Sequence, residues 1–376
     1  MSVLRLDGVS KNYGRTEALR DVSFSCEEGE FFTLFGPSGA GKTTILELIA
    51  GIKEGYSGRI EIKGRPAEAL AIQDRNVSMA FEYYALYPHL SVGENIAFPL
   101  RSPRAEKLGE AEIARKVQWT ADELGIGHLL DRNPVQLSGG QKQRVSLTRA
   151  LVRPADVYLL DEPIAHLDAK LRSIARANLK AMARNLGATI VYVTHDFREA
   201  LGLSDRVLVL NEGRVLQIAE PRDLYHRPAT DFVGHLLGDP AMNLVDGVLA
   251  DTPDGPVFEA AGIRVALSDA LVEEARARLA RGATDIRLGV RPSGVGVSAD
   301  AVEGATRLPV YTVEHATDHA LVYFRIGDAY FGGTAPFGSP LSTGDQAWLR
   351  LKDGAGFLFD ASFALSAAST MKEAAR

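Results

Sequence analysis

The sequence predicts an α/β domain built on a mostly parallel sheet, followed by a smaller all-β, barrel-like domain. Three features carry that prediction. Short apolar stretches, "FFTLF" (31 to 35), "VYLL" (157 to 160) and "TIVYVT" (189 to 194), alternate with helical patterns, as in a parallel sheet covered by helices. The first runs into a glycine-rich loop, "GPSGAGKTT" (36 to 44), that opens a helix. After about Pro240 the texture changes to short strands separated by turn residues, among them "GIRVAL", "DIRLGV", "ALVYFRI" and "QAWLRL".

In chain order, "VLRL" and "VSFSC", with Gly14 between them, alternate as antiparallel strands, and "GRIEIKG" (58 to 64) reads as another. "TTILELIAG" has helical spacing and is closed by Gly51. Residues 91–154 are mostly helical and polar-patterned, a helical subdomain inserted between strands. The boundary is expected near 236 to 242, giving a first domain of residues 1–235 and a β domain of 236–370. The alanine-rich end, "ASFALSAASTMKEAAR", reads as a tail or short helix.

A chain of 376 residues exceeds what one hydrophobic core usually organises, which supports two domains. Its net charge of −6 gives no global field to hold nucleic acid, so no nucleic-acid partner is expected. The single cysteine, Cys26, has no intrachain partner, fits a reducing compartment, and reads as strand filling beside Phe24. The start, "MSVLRLDGVSKNYG", shows no secretory leader, and no run approaches the roughly 18 apolar residues of a membrane helix. Contact with a membrane is therefore expected through partners or through the protein's surface.

The loop at 36 to 44 fits G-x-x-x-x-G-K-[ST] with a strand before it and a helix after it. Gly36, Gly39 and Gly41 allow the tight turn that aims successive N–H groups at phosphate oxygens. Lys42 adds a cation, Thr43 a hydroxyl for Mg²⁺, and Ser38 and Thr44 further hydroxyls, at a helix N-terminus that favours anions. "VYLLDEP" ends a buried strand at Asp161, placed to hold the Mg²⁺ shell, and Glu162 follows where it can take a proton from water. In "LSGGQKQRVSLTRAL" (137 to 151), Ser138, Gly139 and Gly140 precede a helix and form a second anion site. One nucleotide does not easily fill two distant sites, whereas two chains arranged head to tail would close both. A capped helix start is the simpler alternative.

The order of phosphate loop, LSGGQ, LLDEP and "VTHD" resembles the ATP-binding subunits of ATP-binding cassette (ABC) transporters. "YALYPHLSVGENIAFPL" and the trailing β domain are similar to the carbohydrate-importer branch that includes the maltose importer's ATPase. The resemblance implies a P-loop ATPase with antiparallel-β and helical subdomains, and an OB-like, TOBE-type C-terminal domain of regulatory kind. It implies ATP and Mg²⁺, a pair of ATPase chains (identical or paralogous), two transmembrane permease subunits and an extracytoplasmic substrate-binding protein. Localisation would be peripheral, at the cytoplasmic face of the inner membrane. The LSGGQ segment, Ser138 to Gln141, would complete the partner's site. Tyr13 would stack on adenine, although a lone tyrosine there also reads as packing. His195 would meet the γ-phosphate and hold the base, and Asp168 would lie at the dimer seam, with an N-cap for the helix near Ala169 as the rival role. His166 stands where many relatives have Asn.

Glu82 departs from the family pattern, which usually has Gln, touching Mg²⁺ and the lytic water. An ionised carboxylate ~4 Å from a phosphate oxygen would meet repulsion on the order of 4 kcal/mol per charge pair. Ligation of Mg²⁺ would offset it, and protonation is the other escape. The aromatic tract after it, Tyr83, Tyr84, Tyr87, Pro88 and His89, would line a groove for a permease helix, with core packing accounting for part of it. Two other readings stand beside this one: a cassette ATPase acting on DNA or ribosomes, and a mainly regulatory module working through the β domain.

Overall fold

The computed structural model describes residues 2–103 and 106–360, so the alanine-rich end lies outside the described residues. Contacts divide the chain into Met1–His226 and Arg227–Arg376.

The strands of the first unit are β1 (Ser2–Tyr13), β2 (Thr16–Glu27), β3 (Phe31–Phe35), β4 (Ser57–Ile62), β5 (Arg65–Pro66), β6 (Val77–Ala80), β7 (Val157–Asp161), β8 (Ile190–Thr194), β9 (Arg206–Asn211) and β10 (Arg214–Ala219). Its α-helices are α1 (Lys42–Ala50), α2 (Val92–Ala97), α3 (Glu110–Glu123), α4 (Gly139–Leu151), α5 (Ala169–Leu186), α6 (Phe197–Leu203) and α7 (Pro221–His226). An antiparallel sheet runs in the order β2-β1-β4-β5, and a six-stranded sheet in the order β10-β9-β3-β8-β7-β6. In the larger sheet only β10 is antiparallel to its neighbour.

The apolar runs read from the sequence become β3, β7 and β8, each with all residues buried. α1 contributes Ile45, Leu46, Leu48 and Ile49 to a core shared with the antiparallel sheet and one face of the larger one. The opposite face packs on α5 through Leu179 and Met182, and on α4 through Leu147 and Leu151. Residues 92–152 have their own small core, to which α4 adds Val145. One helix therefore belongs to both bodies. Because β3, β8, β7 and β6 are parallel, their carboxyl ends fall along one edge of the sheet. That edge receives the phosphate loop, His195, Asp161 with Glu162, and Glu82. Ligands in open α/β sheets bind at such an edge.

Cys26 is buried in β2, and burial pushes its thiol well above the ordinary range, which leaves it an apolar filler rather than a nucleophile.

The second unit contains α8 (Asp231–Leu236), β11 (Asn243–Thr252), β12 (Gly255–Ala260), β13 (Ile263–Ala266), α9 (Asp269–Ala280), β14 (Asp285–Val290), β15 (Val295–Ser298), β16 (Thr306–His315), β17 (His319–Ile326), β18 (Ala329–Pro336), β19 (Gln346–Leu351) and β20 (Phe357–Asp360). It forms an open sheet, β13-β12-β11-β14-β20, and a closed barrel, β15-β18-β17-β16-β19, over one core. α9 is an addition to the all-β texture read from the sequence. Its apolar signal is short, with Leu271 and Ala275 buried on one face of an otherwise charged stretch.

Candidate nucleotide site

At the end of β3 the backbone turns through Gly39 (φ 78°) and Gly41 (φ 105°), a region that disfavours side chains. A Cβ at Gly41 would also lie 2.7 Å from the Ala18 carbonyl oxygen, and one at Gly36 would collide with the Leu210 carbonyl. Glycine is thus required by the surroundings as well as by the turn. Lys42 is buried, and its ammonium donates to the carbonyls of Gly36 and Pro37, each at 2.9 Å, which holds it across the loop mouth. Burial lowers its pKa against the opposing pull of Glu162, Asp161 and Glu82. Ser38 and Thr43 are exposed and Thr44 is half-buried.

The Thr43 hydroxyl donates to Asp161 Oδ1 at 3.3 Å. Asp161 is only 3% exposed, and burial, opposed by that hydrogen bond and reinforced by Glu162 and Glu82, pushes its carboxyl up to about 6. A buried carboxylate with one long hydrogen bond and two acidic neighbours suits a cation, so Thr43 and Asp161, which touch, could hold Mg²⁺, with Glu82 near enough to act on them electrostatically. No cluster of three or more His, Cys, Asp or Glu arranged for a metal occurs among the described residues. The remaining ligands would then be phosphate and water oxygens, as Mg²⁺ commonly has.

The Asp161 shift has a consequence for stability. Folded and unfolded chains both hold this proton below about pH 4; between the ordinary 3.8 and about 6 only the folded chain keeps it, and above that its loss has cost the free chain ~3 kcal/mol. Asp161→Asn is expected to recover up to that amount at pH 8 and almost none at pH 4, read from urea unfolding of the nucleotide-free chain.

Glu162 follows Asp161 with φ 45°, a left-handed conformation that a non-glycine residue adopts at some cost. Its Oε1 lies 2.9 Å from His195 Nδ1. Burial pushes Glu162 up, but the His195 hydrogen bond and the positive charges of His195 and Lys42 outweigh it, so the carboxyl sits below its usual range. His195 is raised in return, chiefly by the same hydrogen bond. Glu82, half-buried beyond the end of β6, acts electrostatically on both Lys42 and Asp161.

The structure therefore gathers Gly36 to Thr44, Glu82, Asp161, Glu162 and His195 at one sheet edge. Ser138 to Gln141 lie at the N-terminus of α4. There Ser138 Oγ accepts from the Gln141 N–H at 3.3 Å and Gln141 Oε1 accepts from the Ser138 N–H at 2.9 Å, a capping box. The neighbours of Gly139 and Gly140 are Tyr84, His166 and Leu167, and a Cβ at Gly140 would lie 2.8 Å from Leu167. Asp168 caps α5, accepting from the Leu171 N–H at 2.9 Å. Tyr13 is exposed at the end of β1 with the Lys11 ammonium 5.0 Å from its ring centre.

The loop after Glu82 divides its aromatics. Tyr83 is 83% exposed, whereas Tyr87 packs on Phe98 with ring centres 4.7 Å apart, and Tyr84 hydrogen-bonds His166 Nδ1 at 3.2 Å. Three polar residues that organise this region went unread in the sequence. Asn95, fully buried on α2, accepts from the Tyr87 N–H and donates to the Tyr87, Leu90 and Ser91 carbonyls. Arg149 donates to the Tyr84 and Ala85 carbonyls at 3.0 and 2.7 Å, and both residues have positive φ. Gln143 bridges Glu162 and His166. Asn95 carried a usable signal, a polar side chain on an apolar helix face; Gln143 and Arg149 look in sequence like the polar side of an amphipathic helix.

Residues 19–165 match the ABC transporter family. The chain is 40% identical over 370 residues to the xylose/arabinose import ATP-binding protein XacK of Haloferax volcanii, covering 96% of this chain and 94% of that protein. It is also 40% identical over 366 residues to the sn-glycerol-3-phosphate import ATP-binding protein UgpC of Cereibacter sphaeroides, covering 96% and 98%. Among solved structures, the dimeric post-hydrolysis state of the ATP-binding cassette MJ0796 with ADP and Pi superposes with a TM-score of 0.54 at 29% identity, covering 58% of this chain and 99% of that one. With the phosphate loop, the buried acid and the His-paired glutamate at one sheet edge, these similarities settle the affiliation: the chain belongs to the ABC transporter family, as one of its ATP-binding ATPase subunits.

Proposed function

We propose that the chain hydrolyses ATP to energise the import of a carbohydrate or polyol. It would work as one of two ATPase chains, identical or paralogous, at the cytoplasmic face of the membrane, beneath two permease subunits served by an extracytoplasmic binding protein. The observation that carries the ATPase half is the convergence of Lys42, Asp161 and the Glu162–His195 pair on the glycine-rich loop after β3. The import half is supported by the names of relatives that match nearly end to end. No helix among the described residues is long and apolar enough to cross a membrane.

In this reading the backbone N–H groups of residues 38 to 44 and the Lys42 ammonium hold the β- and γ-phosphates. Thr43 and Asp161, with Glu82, would hold Mg²⁺, which when bound offsets phosphate charge. Glu162, kept ionised by His195, takes the proton of the attacking water on its carboxylate. His195 has its Nδ1 engaged by Glu162, so Nε2 is the nitrogen directed to the γ-phosphate. Ser138 Oγ accepts from the Gln141 N–H but keeps its own O–H free to donate. Together with the N–H groups of Gly139 and Gly140, it would meet the γ-phosphate held by the other copy. Tyr13 would stack on adenine, and Asp168 would lie at the seam while capping α5.

Two relatives of equal identity to this chain carry different cargoes in their names, which supports a cargo set by the permeases and binding protein rather than by the ATPase. Reconstitution with them tests the reading: ATP turnover should rise when the binding protein is loaded, and turnover indifferent to permeases and cargo would overturn it. In the same assembly wild type is expected to be active, and Glu82→Gln to change turnover within about tenfold, the worth of roughly one hydrogen bond. An inert wild type restored by Glu82→Gln would show a degenerate site instead.

A further inference from the structure

The Gln143 side chain is 2% exposed and points from α4 to the junction of two functional segments. Its Nε2 donates to the Glu162 carbonyl at 2.8 Å, and its Oε1 accepts from the His166 N–H at 3.0 Å. The first contact falls on a residue held at φ 45°, where the local backbone preference works against the observed conformation. The second falls on the turn leading to Asp168. One amide thus satisfies a donor and an acceptor on either side of that turn, and a side chain of the same length without polar ends satisfies neither.

α4 is anchored independently of this contact. Leu147 and Leu151 pack beneath the larger sheet, Val145 packs in the core of residues 92–152, and Arg149 grips the carbonyls of Tyr84 and Ala85 in the loop after Glu82. The same helix begins at Ser138. A displacement of its N-terminus would reach the Glu162 carbonyl through the Gln143 hydrogen bond.

We propose that Gln143 is a positioning residue for Glu162. It holds the left-handed peptide that aims the carboxylate at the attacking water, and it couples that aim to the position of the Ser138 helix. The ligand felt at the Ser138 end is the nucleotide of the opposing copy, so this contact lets ATP bound by one chain align the base of the other. The role rests on Glu162 being the base proposed above.

The test uses the full-length chain in its transporter complex. Gln143→Met, of similar length and volume, is expected to lower kcat about 10–100-fold while the KM for ATP stays within about twofold, because misalignment of a reacting group costs rate rather than binding. In a Glu162→Gln background the same substitution should cause no further loss, since both act through one group. An unchanged kcat, a parallel change in kcat and KM, or a multiplicative loss in the double variant would each overturn the role. If Gln143→Met does not fold, Gln143→Asn, one methylene too short to span both partners, carries the same expectations. Glu162→Gln alone separates the two failures: full turnover there removes the base itself, whereas an inactive Glu162→Gln beside a fully active Gln143→Met removes only the positioning.

Discussion

Glu162→Gln is expected to reduce ATP turnover about 10²–10⁴-fold, the range of a lost general base, with ATP binding retained. Gln has nearly the same shape, still accepts a hydrogen bond from His195, and leaves the backbone at φ 45° tethered by Gln143. What it cannot do is accept a proton from water. The His195 pairing and the nearby Lys42 charge hold Glu162 below the usual carboxylate range, so the group is ionised throughout neutral pH. Steady-state turnover and equilibrium ATP binding on the same preparation check both halves. Turnover within a few-fold of wild type would assign the base elsewhere.

Lys42→Ala should act on the other quantity and weaken ATP affinity about 10–100-fold, as expected for one or more charge-assisted hydrogen bonds to phosphate. The ammonium already uses two donors on the Gly36 and Pro37 carbonyls, which fixes it in place and leaves the third for a phosphate oxygen. It is also the cation on which Glu162, Asp161 and Glu82 all act. Its removal leaves three carboxylates facing an incoming polyanion. Titration calorimetry with a slowly hydrolysed ATP analogue reads the affinity directly, and an unchanged dissociation constant would place the phosphates away from this loop.

Much of this architecture was legible because its signals are local. A five-residue apolar run followed by "GPSGAGKTT" can hardly be anything but a buried strand entering a phosphate loop, and β3 and α1 bear that out. Gly51 stops α1 in the left-handed conformation expected of a C-terminal glycine. The strands after Pro240 were legible from their turns, and the barrel expected of them is present as β15-β18-β17-β16-β19; the separate open sheet β13-β12-β11-β14-β20 beside it was not legible, because which strands pair depends on contacts such as β14–β20 between segments far apart in the chain. α9 escaped notice for a similar reason, its buried face amounting to little more than Leu271 and Ala275.

At the site, residue types with strong motif signals, Lys42, Asp161, Glu162 and His195, could be named from sequence, whereas the polar side chains that hold them could not. Gln143 and Asn95 matter through what they touch across the fold, and nothing in their local spacing says which carbonyl will need a donor. Sequence reasoning also left two roles open for Asp168; the hydrogen bond to Leu171 establishes the cap and leaves room for the second role when another copy is present.

In the proposed function ATP is held between two chains, neither of which has a complete pocket. The most direct measurement is a structure of the full-length Glu162→Gln chain with ATP and Mg²⁺. The account predicts two copies head to tail, with each triphosphate contacted by Lys42 of one chain and by Ser138 of the other. A triphosphate enclosed by residues of a single chain, with Ser138 of both copies facing solvent, would contradict it.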